Sequence, residues 1–287
     1  MLLAVMCVAL GVVPAGVRVN RALQATHSRR ETNRLIAEGR LAVNGVVASN
    51  PDSRLVPGDV VLFDGVPVAW DTVEPHVYIK FNKPVGVECT TNRNVKNNIM
   101  DALQTAGHEA ARRIYPIGRL DVNSSGLILL TSNGAIVNTL LRAREGKRKI
   151  YDVITEPSAS KDDIRRLASG IVITTLSRIN GETAPVTAAT RPCEVSRCGP
   201  SEIRFVLEEG RNRQIRRMCA ALSLDVERLH RVSFSGVSLS SCEEPGEWAP
   251  LTEAEELQIG ARRPLTRSER RTPEERARRK ARGKRNR

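Results

Sequence analysis

Residues 127–131 read LILLT, closed on one side by GRLDVNSSG and on the other by SNG. A short apolar run bounded by turn residues is the pattern of a buried strand. Such a strand needs a sheet around it and a layer over it. Tyr78–Phe81, Lys149–Ile154 and Ile203–Leu207 read as further strands, the first entering a turn at Asn82-Lys83-Pro84. Ile136, Val137, Leu140 and Leu141 recur at helical spacing behind Ser132 or Asn133 as a cap, and Gln214–Leu222 forms another helix. Strands clustered between helices predict an α+β fold with an antiparallel or mixed sheet rather than a regular βαβ repeat. At the mouth of the buried strand stands one carboxylate, Asp121, between Arg119 and Ser124-Ser125-Gly126. An acid there is either a turn residue bonding its own backbone or a group with chemistry to perform.

A smaller unit precedes this one. Val19, Ala22 and Leu23 begin a helical pattern that returns at Leu35 and Ile36 and stops at Gly39, predicting two short helices. LAVNGVVASN is an alternating strand broken by Asn44-Gly45, a strong hairpin signal, and PGDVVLFDGVPV adds short strands with Gly58, Asp59 and Gly65 at the turns. Arg21, Arg29, Arg30, Arg34 and Arg40 crowd the helical stretch with little acid among them. Such a run is usually a solvated face, but on a helix-and-turn layout it suits backbone phosphates. The expected division is an apolar extension over 1–16, a small domain over 17–70, a larger one over 76–259 and a basic tail over 260–287, with a linker near Asp71–Pro75.

Charge sharpens the division. The chain of 287 residues carries a formal charge of +13, and from Ala261 onward there are 13 Lys or Arg against 3 Asp or Glu. With almost no large apolar side chains this tail cannot offset the entropy of ordering, so it reads as a disordered basic arm suited to a polyanion. Nucleic acid is the economical partner, because each neutralised phosphate releases counterions.

Several classes fall away. The six cysteines form no CxxC pair and the four histidines lie far from them in sequence, which argues against a structural zinc site and for reduced thiols. Neither GxGxxG nor GxxxxGKS occurs, so no nucleotide cofactor is expected. LLAVMCVALGVV at residues 2–13 is too short to span a bilayer and lacks the basic flank of a secretory signal. No membrane partner is expected, and the chain reads as a cytoplasmic monomer unless the extension is a mitochondrial or plastid presequence.

Three separated stretches ask for a joint explanation: GRLDVNSSGLILLTSNG, KIYDV at 149–153 and LEEGRNRQIRRM at 207–218. Each alone has a bland reading, as a turn acid, a strand aromatic and a solvated helix face. Together they resemble the pseudouridine synthases of the RsuA/RluB/RluE/RluF type, whose GRLDxxxSGLLLLT signature is nearly reproduced. The likeness runs on through NKPVGVECTT at 82–91, YPIGRLD at 115–121 and PGEWAPLT at 245–252, while SRRETNRLIAEGRLAVNG and VPGDVV resemble an S4 RNA-binding domain. NKPVG and the Asn-Arg-Gln-Ile-Arg-Arg-Met stretch point to the RluF branch. The sequence departs from the pattern at Ala249, where an arginine is common, and over Gln104–Arg113, which is longer than usual.

The resemblance implies an isomerase that converts uridine to pseudouridine in RNA without cofactor or metal, acting on large-subunit ribosomal RNA with transfer RNA as a second substrate class. It implies that Asp121 starts the reaction, as nucleophile or as base on the sugar, and that Arg216 pairs with it. Tyr151 stacks on the target base and can accept the final proton, Ile215 covers the base's other face, and Arg119 fills or guides the vacated place. The five S4 arginines would bind RNA backbone. Two rival classes stand beside it. One is a non-catalytic RNA-binding or ribosome-assembly factor, which has no physical need for an acid facing phosphates. The other is a hydrolase built on Ser124 or Ser125, for which no histidine lies nearby in sequence.

Overall fold

The computed structural model describes residues 16–70, 76–109, 112–142, 148–179 and 182–262. Nearly all of the apolar extension, the linker and nearly all of the basic tail lie outside the described residues. The chain divides into two compact units, one ending at Val77 and taking in Glu109–Tyr115, the other holding Tyr78–His108 and the chain from Pro116.

In the first unit Ser28 starts the helix Arg29–Ala37 with a capping box: its hydroxyl accepts from Glu31 N–H, and its own N–H donates to the Glu31 carboxylate. The earlier expected helix is instead a single 3-10 turn, Val19–Arg21, followed by hydrogen-bonded turns. Its leading residue Arg18 supplies no side-chain cap, and Ala22 N–H closes back on Val19 O, so the segment tightens into i→i+3 bonds. A four-stranded antiparallel sheet orders Val46–Val47, Leu41–Val43, Val61–Phe63 and Val66–Val68. Asn44-Gly45 and Asp64-Gly65 make its two tight hairpins, all four residues having φ between 50° and 80°, as type I′ turns require. Leu35 and Ile36 pack with Val19, Leu23, Leu41, Leu55 and Val61 into this unit's core.

The second unit is built on a mixed sheet. Its main path runs Glu194–Arg197, Glu202–Leu207, Lys149–Glu156, Asp225–Phe234, Ser125–Thr131, Tyr78–Lys83 and Trp248–Pro250. Neighbours on this path are antiparallel except Asp225–Phe234 and Ser125–Thr131, which run parallel with His230 opposite Ser125 and Arg231 opposite Gly126. Every residue of Ser125–Thr131 is buried, as the LILLT run requires. Asn133 caps the helix Gly134–Arg142 by accepting from Ala135 N–H, and Ile136 and Leu140 join Leu127, Leu129 and Phe234 in the core.

One expected turn is a strand. Tyr78–Lys83 continues through Asn82 and Lys83, and the turn falls at Val85-Gly86. Both polar side chains can be buried because backbone carbonyls accept from them: Asn82 donates to the distant Cys242 O and Glu243 O, and Lys83 to Pro84 O and Val87 O in the turn that follows.

Candidate active site

The loop before Ser125–Thr131 is held from below. Gly118 takes φ +77°. Ser124 N–H donates to Asp121 O and closes the turn that follows the acid. Val122 O, next to Asp121, accepts from Gly86 N–H at 2.8 Å and from Lys83 Nζ at 3.5 Å. The NKPVG stretch therefore acts as the loop's support. Burial lowers the Lys83 pKa, while the charges of Cys89 and Asp121 pull it upward.

Asp121 Oδ2 lies 3.7 Å from Arg213 Nη1, both side chains being partly exposed. This corrects the expected partner. Arg216 spends its guanidinium on backbone, donating to Val226 O at 2.9 Å and to Asn123 O at 2.6 Å, and so ties the helix Gln214–Ala220 to the Asp121 loop. Its charge still reaches the acid. Burial and the nearby Arg213 lower the Arg216 pKa, and Asp121 opposes them. Arg213 sits just before the helix with φ 51° and ψ 36°, a left-handed conformation that is uncommon for a residue with a side chain.

Asp121, Arg119, Tyr151, Ile215, Arg216 and Arg213 line one cavity of about 540 Å³, within the size range of small-molecule sites. Tyr151 and Ile215 are buried, and Arg119 is exposed. The wall carries six arginines in all, a strongly cationic lining. Glu208 and Glu209 also reach the wall, which the sequence reading missed. Glu208 is exposed, and Glu209 is committed to Arg211, to Gln214 and to the Arg191 N–H. Asp121 is thus the carboxylate held at the loop mouth. Among the described residues no group of three His, Cys, Asp or Glu is placed to hold a metal.

The two serines make different contacts. Ser124 fastens the loop through its N–H, while its buried hydroxyl has no partner among the described residues. Ser125 Oγ lies 2.9 Å from His230 Nδ1, a partner 105 residues away that local sequence could not reveal. Neither Ser125 nor His230 lines the cavity. Asp152, opposite His230 in the sheet, is held by two bonds from Arg204. The triad-like residue types are present, but away from the cavity and with the acid engaged elsewhere.

On the first unit the arginine face meets more acid than the linear sequence implied. Arg40 grips Asp64 through two nitrogens, Arg34 lies 3.6 Å from Glu38, and Arg29 lies 3.5 Å from Asp52. Folding brings Asp52 and Asp64 to these arginines from loops 23 or 24 residues away. Arg30 is exposed and Arg21 half-buried.

Comparison with known proteins gives the family. A family model described as RNA pseudouridylate synthase matches residues 77–221, and an S4 domain model matches residues 26–61. The dual-specificity RNA pseudouridine synthase RluF of Escherichia coli K12 is 35% identical over 247 residues, 85% of this chain and 79% of that protein. The ribosomal small subunit pseudouridine synthase A of the same strain is 30% identical over 230 residues, 79% of this chain and 92% of that protein. A crystal structure of a pseudouridylate synthase superposes with a TM-score of 0.54 at 25% identity, covering 85% of this chain and 99% of its own. The chain belongs to the RNA pseudouridylate synthase family, isomerases that convert uridine in RNA to pseudouridine, and it carries an S4 domain ahead of the synthase domain.

Proposed function

We propose that this enzyme acts on large-subunit ribosomal RNA, and that the reaction begins at Asp121 on one uridine flipped into the cavity. The observation that carries the site assignment is the placement of Asp121 at a cationic, nucleoside-sized cavity walled by Tyr151 and Ile215. A base inside a folded RNA is out of reach, and extruding it costs a few kcal/mol, which stacking on Tyr151 and contact with Ile215 offset. Asp121 opens the reaction as nucleophile on the nucleotide or as base on the sugar. The C1′–N1 bond breaks, the base turns over, C5 joins C1′, and the C5 proton leaves as N1 takes one up. Tyr151, which lines the cavity, accepts that proton in this reading. Arg213 and Arg216 set positive charge beside the carboxylate, Arg119 occupies or guides the vacated stack, and Arg21, Arg29, Arg30, Arg34 and Arg40 hold RNA backbone on the S4 unit.

NKPVG and the Asn-Arg-Gln-Ile-Arg-Arg-Met stretch favour the large subunit, because they carry the likeness to the RluF branch. Transfer RNA is the second reading, favoured by the dual specificity named for the 35%-identical relative. The five free cysteines among the described residues suit the cytoplasm. The test incubates unmodified large-subunit and small-subunit ribosomal RNA and transfer RNA with purified protein and maps pseudouridine by chemical labelling and primer extension. A wild-type-specific site in the large-subunit RNA, absent with Asp121→Asn, is expected. A site confined to small-subunit RNA would overturn the substrate reading.

A further inference from the structure

The cavity contains a buried cation that the roles above do not use. Arg231 is 2% exposed and yet lines the cavity. Its Nε donates to Leu127 O at 2.7 Å, and its guanidinium lies 5.2 Å from the centre of the Phe234 ring, so the side chain is pinned on two sides. Its Nη2, however, is buried with no hydrogen-bond partner among the described residues. A charged donor left unpaired in the interior is costly, and folding alone gives no reason for it.

The register says what could complete it. Arg231 stands directly opposite Tyr151 across the antiparallel pair, so their side chains leave the sheet on the same face as neighbours. A base stacked on Tyr151 would present its edge to the Arg231 guanidinium. Gly126 fixes the position. It is the residue opposite Arg231 on the parallel side, and a Cβ there would come within 2.3 Å of Arg231 O. The glycine of the Ser-Ser-Gly turn thus permits the close approach that holds Arg231 on the cavity floor.

We propose that Arg231 is a further substrate-binding residue, donating a hydrogen bond to a carbonyl oxygen of the flipped uracil and stabilising that base while it is detached from the ribose. When the C1′–N1 bond breaks, its electron pair stays with N1 and the charge spreads onto O2 and O4. A fixed donor aimed at that charge is electrostatic preorganisation. As C5 bonds to C1′ the ring gives up the charge, the C5 proton departs, N1 is protonated and the composition is unchanged. The depth of the donor selects the base rather than the backbone: Arg231 is buried where Arg119 is exposed and Arg213 partly exposed. This inference rests on the reading of the Asp121 cavity as the uridine site.

The test uses the full chain and transcripts of large-subunit ribosomal RNA and transfer RNA made with uridine, 2-thiouridine or 4-thiouridine, following product by nucleoside mass spectrometry under single turnover. Sulfur accepts hydrogen bonds more weakly than oxygen. Arg231→Gln is expected to slow isomerisation about a hundredfold, the size seen on losing one such donor, with RNA affinity within about threefold, and Arg231→Lys is expected to recover part of the rate. One thio-substitution should slow the wild type and leave Arg231→Gln unaffected, because the bond it weakens is already absent. The wild-type comparison needs no altered protein, so a folding defect in the variants cannot imitate it. The assignment of Arg231 is overturned if Arg231→Gln keeps its rate, or if wild type and variant respond alike to both thio-substitutions. No wild-type product from either RNA would overturn the substrate reading, whereas active wild type matched by Arg231→Gln would overturn the Arg231 assignment alone, which separates the two failures.

Discussion

Arg213 joins two properties in one residue: its guanidinium is the nearest cation to Asp121, and its backbone is left-handed. Side chain and backbone can be separated by substitution. Arg213→Ala and Arg213→Gly should both slow isomerisation, by about tenfold if the lost cation is worth a little over 1 kcal/mol at a partly solvated pair. They should differ in stability. Glycine relieves the left-handed backbone, so Arg213→Gly should unfold about 1 kcal/mol higher than Arg213→Ala in urea. Equal stabilities would show that φ 51° carries no strain, and unchanged rates would remove Arg213 from the site. Residue types at single positions were legible in the sequence. Asp121, Tyr151, Ile215, Arg119 and Arg216 were singled out by motif and line one cavity. What could not be read was who touches whom: Arg213 and Arg216 sit three residues apart on a single turn, and only the fold decides which of them faces the acid.

At the scale of elements, the parallel pair between Ser125–Thr131 and Asp225–Phe234 sets the site, because it brings the Asp121 loop to the strand that carries Arg231. Gly126 has φ +104°, and a Cβ there would meet the backbone of Arg231 at 2.3 to 2.9 Å. Gly126→Ala must push the two strands apart. We expect a loss of about 3 kcal/mol in stability and a fall of at least about a hundredfold in rate, since an ångström's displacement of a reacting group has that effect. Near-normal activity and melting temperature would contradict this. Local signals carried the regular elements well. Asn44-Gly45 fixed its hairpin through the φ > 0 that both residues tolerate, and LILLT marked a strand buried along its whole length. They failed where tertiary partners override local chemistry. Asn82 and Lys83 look like turn residues but extend a strand, because carbonyls from the 242–243 segment and from the following turn accept their bonds.

At the scale of the molecule, each unit has a hydrophobic cluster assembled from its own residues among those described, and a basic tail follows the second unit in sequence. Arg29, Arg34 and Arg40 of the S4 unit already face Asp52, Glu38 and Asp64, so much of their charge is balanced within the protein. The tail, with 13 basic and 3 acidic residues, is mostly unbalanced even by its own composition. Its contribution to RNA affinity should therefore be electrostatic and independent of sequence. Removing residues 261–287 should weaken binding at low salt and flatten the plot of log affinity against log salt by roughly 0.7 to 0.9 for each phosphate that the tail would have neutralised, with the rate on bound RNA unchanged. An identical slope for the truncated protein would show that the tail does not touch RNA.

The central claim is that the carboxylate at the mouth of the LILLT strand starts uridine isomerisation. The direct measurement is single-turnover tritium release from large-subunit ribosomal RNA labelled at uridine C5, with RNA affinity measured on the same samples. Asp121→Asn preserves the side chain's size and removes its charge. Wild-type protein should release tritium from a discrete site, and Asp121→Asn should bind the RNA within about threefold of wild type and release none. Substantial release by the purified variant would contradict the account.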